Sequence, residues 1–182
     1  MEKFILDKEF TNDLKLIKMT PFKDMRGEYL KSYSDRELSA VGIYSDFKED
    51  NYLISNKGSV RGLHYQLENP EAKLIRCLKG NIIDIVVDLR KDSLTYKEVF
   101  KVKLKEGDNL LFSVPEGFAH GFISLSDSVV LYKSSNYYFA EDQHGISVFS
   151  GDIQLDKILE EEEIENLIIT EKDKNLLKLE DL

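Results

Sequence analysis

The chain has 182 residues, a length that suits one domain with a sizeable core. Its 25 basic and 34 acidic residues give a formal charge of -9, which argues against a nucleic-acid partner because neutralising phosphates requires a basic face. One cysteine, Cys77, excludes an intrachain disulfide framework and a cysteine-cluster metal site. Apolar runs such as 82–87 are broken by charge and far too short to span a bilayer. The first residues lack the apolar stretch of a secretory signal, so a cytoplasmic protein without a membrane partner is expected. The expected organisation is one unit over 1–182, with a core at 21–150 and a partly helical tail at 151–182.

Along the chain, Phe4, Ile5 and Leu6 suggest an early strand. Ser34-Asp35-Arg36-Glu37 has capping-box spacing and predicts a short helix through about Ala40. Segments 73–78 and 82–89, separated by Lys79-Gly80-Asn81, predict a β-hairpin around a glycine turn. In its second arm Ile83, Ile85 and Val87 share one face, and Asp84 and Asp88 share the other with Ile82 and Val86. Strands follow at 99–104 and 110–114 across Glu106-Gly107-Asp108-Asn109, then at 121–125 and 129–132 across Ser126-Asp127-Ser128. Helical composition at 158–167 predicts a closing helix, and the glutamates 160–163 and Glu165 read as a solvated face. Short strands at close spacing, with helix only near the ends, predict an all-β sandwich or barrel.

Three histidines are candidates for chemistry. His64 lies in Arg61-Gly62-Leu63-His64-Tyr65-Gln66, where a glycine allows close backbone approach and an arginine supplies a cation suited to phosphate or carboxylate. His120 lies in a turn feeding a strand, and His144, in a polar loop, has the weakest claim. A metal-binding barrel needs two histidines one residue apart with a carboxylate nearby, and here Gln66 stands two residues after His64. No metal is expected. Acid/base chemistry remains: a histidine near its ordinary pKa can take a proton at neutral pH, and a tyrosine such as Tyr132 can return one, unless Tyr132 is a core ring.

Five motifs together resemble the dTDP-4-dehydrorhamnose 3,5-epimerase family. They are Arg61-Gly62-Leu63-His64-Tyr65-Gln66, Ala72-Lys73-Leu74-Ile75-Arg76, Val87-Asp88-Leu89-Arg90, Pro115-Glu116-Gly117-Phe118-Ala119-His120-Gly121-Phe122, and Leu131-Tyr132-Lys133 with Tyr137-Tyr138. The resemblance runs from about Pro21 to Ile146, with a looser match in Thr170-Glu171-Lys172-Asp173. It implies a cupin-like jelly-roll barrel, a homodimer with shared active sites, and a nucleotide-linked 4-keto-6-deoxyhexose as substrate, with no cofactor. Carried onto this chain, His64 is the base, Tyr132 the acid and Asp173 the carboxylate orienting the histidine. Lys73 and His120 lie against the sugar's keto and hydroxyl oxygens, and Arg61 and Asn51 hold the pyrophosphate. Tyr138 packs on the nucleotide, Arg26 reaches over from the neighbouring subunit, and Lys31, Glu49 and Lys172 count as further substrate-binding positions. Asp173 could equally be solvated tail, and Asp84 and Asp88 read as structural hydrogen-bonding groups.

The chain departs from the family pattern at Glu49, where glutamine is common, at Lys31, where glutamate is common, and at Leu53-Ile54 in place of polar and basic residues. It has no tryptophan, and Phe149 stands near the place of the usual ones after Gly145-Ile146. These changes suggest retained chemistry on a different nucleotide or sugar. A ketoisomerase using the same enolate, a 3-epimerase on a non-dTDP substrate and a non-catalytic sugar-nucleotide binder are the alternatives.

Overall fold

The computed structural model describes residues 3–44 and 46–182. Its strands are β1 (Phe4–Glu9), β2 (Lys15–Met19), β3 (Phe22–Asp24), β4 (Gly27–Tyr29), β5 (Glu49–Ser55), β6 (Val60–Gln66), β7 (Lys73–Lys79), β8 (Asn81–Asp88), β9 (Val99–Lys105), β10 (Leu110–Val114), β11 (Phe118–Ser124), β12 (Ser128–Ser134) and β13 (Gln143–Gly145). Helices are short: α1 (Asp35–Ser39), α2 (Leu155–Glu161) and α3 (Glu171–Lys174). Ser34 caps α1 by accepting from the Glu37 amide, as its spacing predicts.

Two sheets face each other. One has the order β1-β2-β10-β7-β12-β5 and the other β13-β6-β11-β8-β9, with β3 and β4 forming a separate small hairpin. From β5 to β12 the chain steps from sheet to sheet, except at β8–β9, where consecutive strands pair. This corrects the hairpin expected over 73–89. Both arms are strands, but β7 pairs with β10 and β12, while β8 pairs with β11 and β9. The arms at 121–125 and 129–132 are likewise split between sheets. A local turn signal reports a reversal of the chain without naming the strand's partner. Here Gly80, at φ +73, carries the chain across the sandwich beside the 125–128 connection, with the Asn81 amide bonded to Ser126 Oγ and the Leu125 amide to the Asn81 carbonyl.

Three apolar layers result. Ile75, Cys77, Ile82, Val86, Phe112, Phe118 and Val130 fill the space between the sheets. Behind the five-stranded sheet, Ile83, Ile85 and Val87 pack with Ile153, Leu155, Ile158 and Ile164 of the C-terminal segment. Ile17, Met19, Leu74 and Leu111 of the six-stranded sheet pack with Phe4, Leu38 and Ile43. Because both faces of β8 are covered, apolar residues stand on both, and Asp84 and Asp88 are buried among those of one face. The helix expected at 158–167 falls instead at Leu155–Glu161. Glutamates crowd its C-terminal end, where the helix dipole favours cations and no basic residue stands. Beyond it the chain runs extended, and Ile168 bridges to Ser59 in parallel. Among the described residues, no helix is long and apolar enough to cross a membrane.

Candidate active site

Strand register builds one wall of a cavity. Across β5, β12 and β7 the partners run in rows: Glu49, Ser134 and Lys73; Asn51, Tyr132 and Ile75; Leu53, Val130 and Cys77. Period-two alternation turns all three rows toward the opposite sheet. The Leu53 row ends in the apolar core, whereas the rows nearer the rim carry polar groups. Glu71, two residues before Lys73, extends the pattern.

The facing wall comes from β6 and β11, where His64 and His120 are directly paired. The strands approach closely there: a Cβ on Gly62 would lie 2.7 Å from Gly121 Cα, and one on Gly121 would overlap the Arg61 carbonyl. The space between the walls is a cavity of about 350 Å³, lined by His64, Tyr132, Lys73, His120, Arg61, Asn51, Glu49 and Tyr138 together with Glu71 and Gln143. A larger hollow of about 550 Å³, lined by residues including Asp13 and Arg90, carries no histidine.

Each functional group has a defined partner. His64 Nε2–H donates to Asp173 Oδ1 at 2.8 Å, which leaves Nδ1 free as a proton acceptor. Asp173 is 5% exposed, and α3, capped by the Thr170 hydroxyl, places it behind the imidazole. His120 Nε2 lies 3.0 Å from Oδ2 of the fully buried Asp84, and Asp84 Oδ1 has no hydrogen-bond partner among the described residues. Lys73 Nζ lies 2.8 Å from Glu71 Oε1 and 5.9 Å from the centre of the Tyr132 ring. Arg61 is steered by Ser55 Oγ (2.9 Å) and the Ile54 carbonyl (3.1 Å).

The electrostatics separate the two proton-carrying groups. Burial lowers the His64 pKa, and Lys73 and Lys172 add to this, while the Asp173 carboxylate opposes it. A neutral imidazole at neutral pH results. Burial, with Glu71 and Glu49 nearby, pushes the Tyr132 phenol up to about 12, against the pull of Arg61. It therefore holds its proton. Burial also raises Asp84, with His120 and Lys73 opposing. Asp88 is occupied elsewhere, accepting from Arg90, Ser93 and Thr95. No group of three His, Cys, Asp or Glu residues suited to a metal ion occurs among the described residues.

The family model for dTDP-4-dehydrorhamnose 3,5-epimerase matches residues 10–181. The chain belongs to the dTDP-4-dehydrorhamnose 3,5-epimerase family. A member from Methanothermobacter thermautotrophicus is 40% identical over 161 residues, covering 88% of this chain and 86% of that protein. The crystal structure of the Elizabethkingia anophelis NUHP1 enzyme superposes with a TM-score of 0.88 at 35% identity, covering 98% of each chain. The Legionella pneumophila structure, in complex with dTDP-4-keto-L-rhamnose, gives 0.88 at 31% identity over 97% of this chain and 93% of that one. The fold is the cupin-like barrel that the motifs of this epimerase family imply.

The remaining epimerase-family positions lie outside this chain's cavity lining. Arg26 sits on the exposed β3–β4 hairpin, paired with Asp24. Lys31 pairs with Glu37 beside α1. Lys172 is at the rim, donating to Gln143. Of the departures from the family pattern, Glu49 and Leu53 line the cavity, whereas Lys31, Ile54 and Phe149 do not. Glu71, Gln143 and the Asp84–His120 contact are absent from the sequence reading of the site. For Glu71 a signal exists, since it stands two residues from Lys73 at the start of a strand.

Proposed function

We propose that this protein is an isomerase of the dTDP-4-dehydrorhamnose 3,5-epimerase type, inverting C3 and C5 of a nucleotide-linked 4-keto-6-deoxyhexose. One observation carries the reading: the His64 imidazole on one sheet and the Tyr132 phenol on the other share a single cavity. The 4-keto group acidifies the neighbouring C–H bonds, so the chemistry itself calls for no redox cofactor. His64 Nδ1 takes the proton, and the C–H electrons move into an enolate whose oxygen is stabilised by the Lys73 ammonium and His120. The Tyr132 hydroxyl then donates to the carbon from the opposite side, which inverts it. Solvent returns a proton to the tyrosinate and removes one from His64. Preorganised charge at the enolate oxygen is the larger contribution, and positioned proton transfer adds about 10²–10⁴-fold.

Arg61 and Asn51 are assigned to the diphosphate and Tyr138 to the nucleotide, with Lys172 and Glu49 as further contacts of the nucleotide-sugar substrate. Arg26, whose side chain is 85% exposed, is assigned to the cavity of a second copy in a homodimer, with the apolar Phe22, Met25 and Tyr29 of the same hairpin exposed beside it.

Incubation with dTDP-4-keto-6-deoxyglucose in deuterated water tests the reading. Deuterium enters at both carbons with wild type. His64→Ala loses exchange at both, and Tyr132→Phe retains exchange at one carbon more than net inversion. Exchange that survives His64→Ala removes His64 as the base. Migration of the carbonyl in place of inversion identifies a ketoisomerase.

A further inference from the structure

Glu71 is a carboxylate in a cavity that, on the epimerase reading, accepts a diphosphate and develops an enolate. A negative charge there opposes both unless it is engaged by the protein. It is engaged on two sides: Oε1 lies 2.8 Å from Lys73 Nζ, and Oε2 accepts from the Ser134 hydroxyl on the neighbouring strand. Its side chain is 13% exposed and that of Lys73 10%. Ser134 is the direct register partner of Lys73 and stands two residues from Tyr132, so the ion pair is anchored to the strand that carries the phenol. A lysine stem has four rotatable bonds, and an unanchored ammonium would sample many positions in an open cavity.

We propose that Glu71 is a positioning residue whose ion pair fixes the Lys73 ammonium beside Tyr132, so that the enolate's counter-charge and its acid are held as one unit. The proposal rests on the epimerase reading for its catalytic meaning and on geometry for its contacts. The charged and titratable groups facing Tyr132 are Glu49 from β5, Lys73 and Glu71 at β7, Arg61 and His64 from β6, His120 from β11, and Tyr138 after β12. Glu71→Gln removes one of the two carboxylates and leaves Lys73 and Arg61 to favour tyrosinate. The phenol then loses its proton at lower pH.

The test uses the full chain with ¹³C-labelled tyrosine, the Tyr132 signal being identified by its loss in Tyr132→Phe. Wild type keeps the protonated shift to about pH 11, whereas Glu71→Gln titrates about one pH unit lower. With the keto-sugar substrate, kcat of Glu71→Gln falls about tenfold while KM changes less, and the alkaline limb of kcat moves to lower pH. A Tyr132 midpoint unchanged in folded Glu71→Gln overturns the proposal. If that variant does not fold, wild type decides: Lys73 methylene relaxation as slow as the barrel backbone supports the tether, and free rotation overturns it. Neither spectroscopic measurement needs turnover, so an inactive wild type would refute the epimerase reading alone.

Discussion

His64 and Asp173 stand 109 residues apart in the chain and meet at 2.8 Å, the carboxylate also lying 3.4 Å from the Gly62 amide. The barrel supplies the imidazole, and the C-terminal segment supplies the group that sets its tautomer. Parallel bridges at Ser59–Ile168, just before β6, and Ile146–Leu177, just after β13, hold that segment to the sheet on either side of α3.

Asp173→Asn keeps the shape but offers an amide whose nitrogen end cannot accept the imidazole proton. Exchange of substrate hydrogen with solvent should slow by about a hundredfold or more, with a smaller change in KM. The pH profile carries the sign. Asp173 raises the His64 pKa, so its removal lowers that value further. The base must be neutral, and the acidic limb of kcat/KM therefore moves to lower pH even as the plateau falls. An acidic limb that stays in place would separate Asp173 from the base.

Gly80 marks where the chain crosses between sheets. Its φ of +73 is one cost for any other residue, and a Cβ would also overlap the Asp127 carbonyl oxygen of the adjoining connection. Gly107, at φ +76 with nothing among the described residues within 4 Å of a Cβ, shares only the first cost. Gly107→Ala should lose about 1 kcal/mol and Gly80→Ala about 2–4 kcal/mol by denaturant unfolding. Equal losses at the two positions would show that the two connections are free to part.

Those two glycines also show what a sequence reveals. Both turns are legible, as are α1 and the strands around them, because these depend on nearest neighbours. Which strands pair is not, since β7 pairs with β10 and β12, and β8 takes the distant β11 as well as its neighbour β9. Strand β5 is illegible for a different reason. Glu49, Asn51 and Leu53 face inward while Tyr52 and Ile54 are exposed, an inversion of the usual pattern where polar groups line a site. His64, Lys73, His120 and Tyr132 stand out through their motifs. Glu71 has a weak signal in its spacing from Lys73, but its contacts emerge only through the register that sets Lys73 opposite Ser134.

Asp88, the last residue of β8 and the register partner of Phe118, supports the same barrel, and pH exposes its contribution. Burial pushes its carboxyl upward, but hydrogen bonds from Arg90, Ser93 and Thr95 outweigh this and hold it at about 2. The folded value lies below that of the unfolded chain, about 3.9, so the ionised group stabilises the fold above that pH. The contribution is lost as pH falls through about 2. Asp88→Asn should therefore be less stable than wild type at neutral pH, and the gap should close between about pH 5 and pH 2. Arg90 also binds Asp13 and packs on Phe118, so the loss of Asp88 loosens the start of β11, the strand that carries His120. Denaturant unfolding of both proteins across that range measures the gap directly. A gap that stays constant with pH would mean that Asp88 acts through its shape and not its charge.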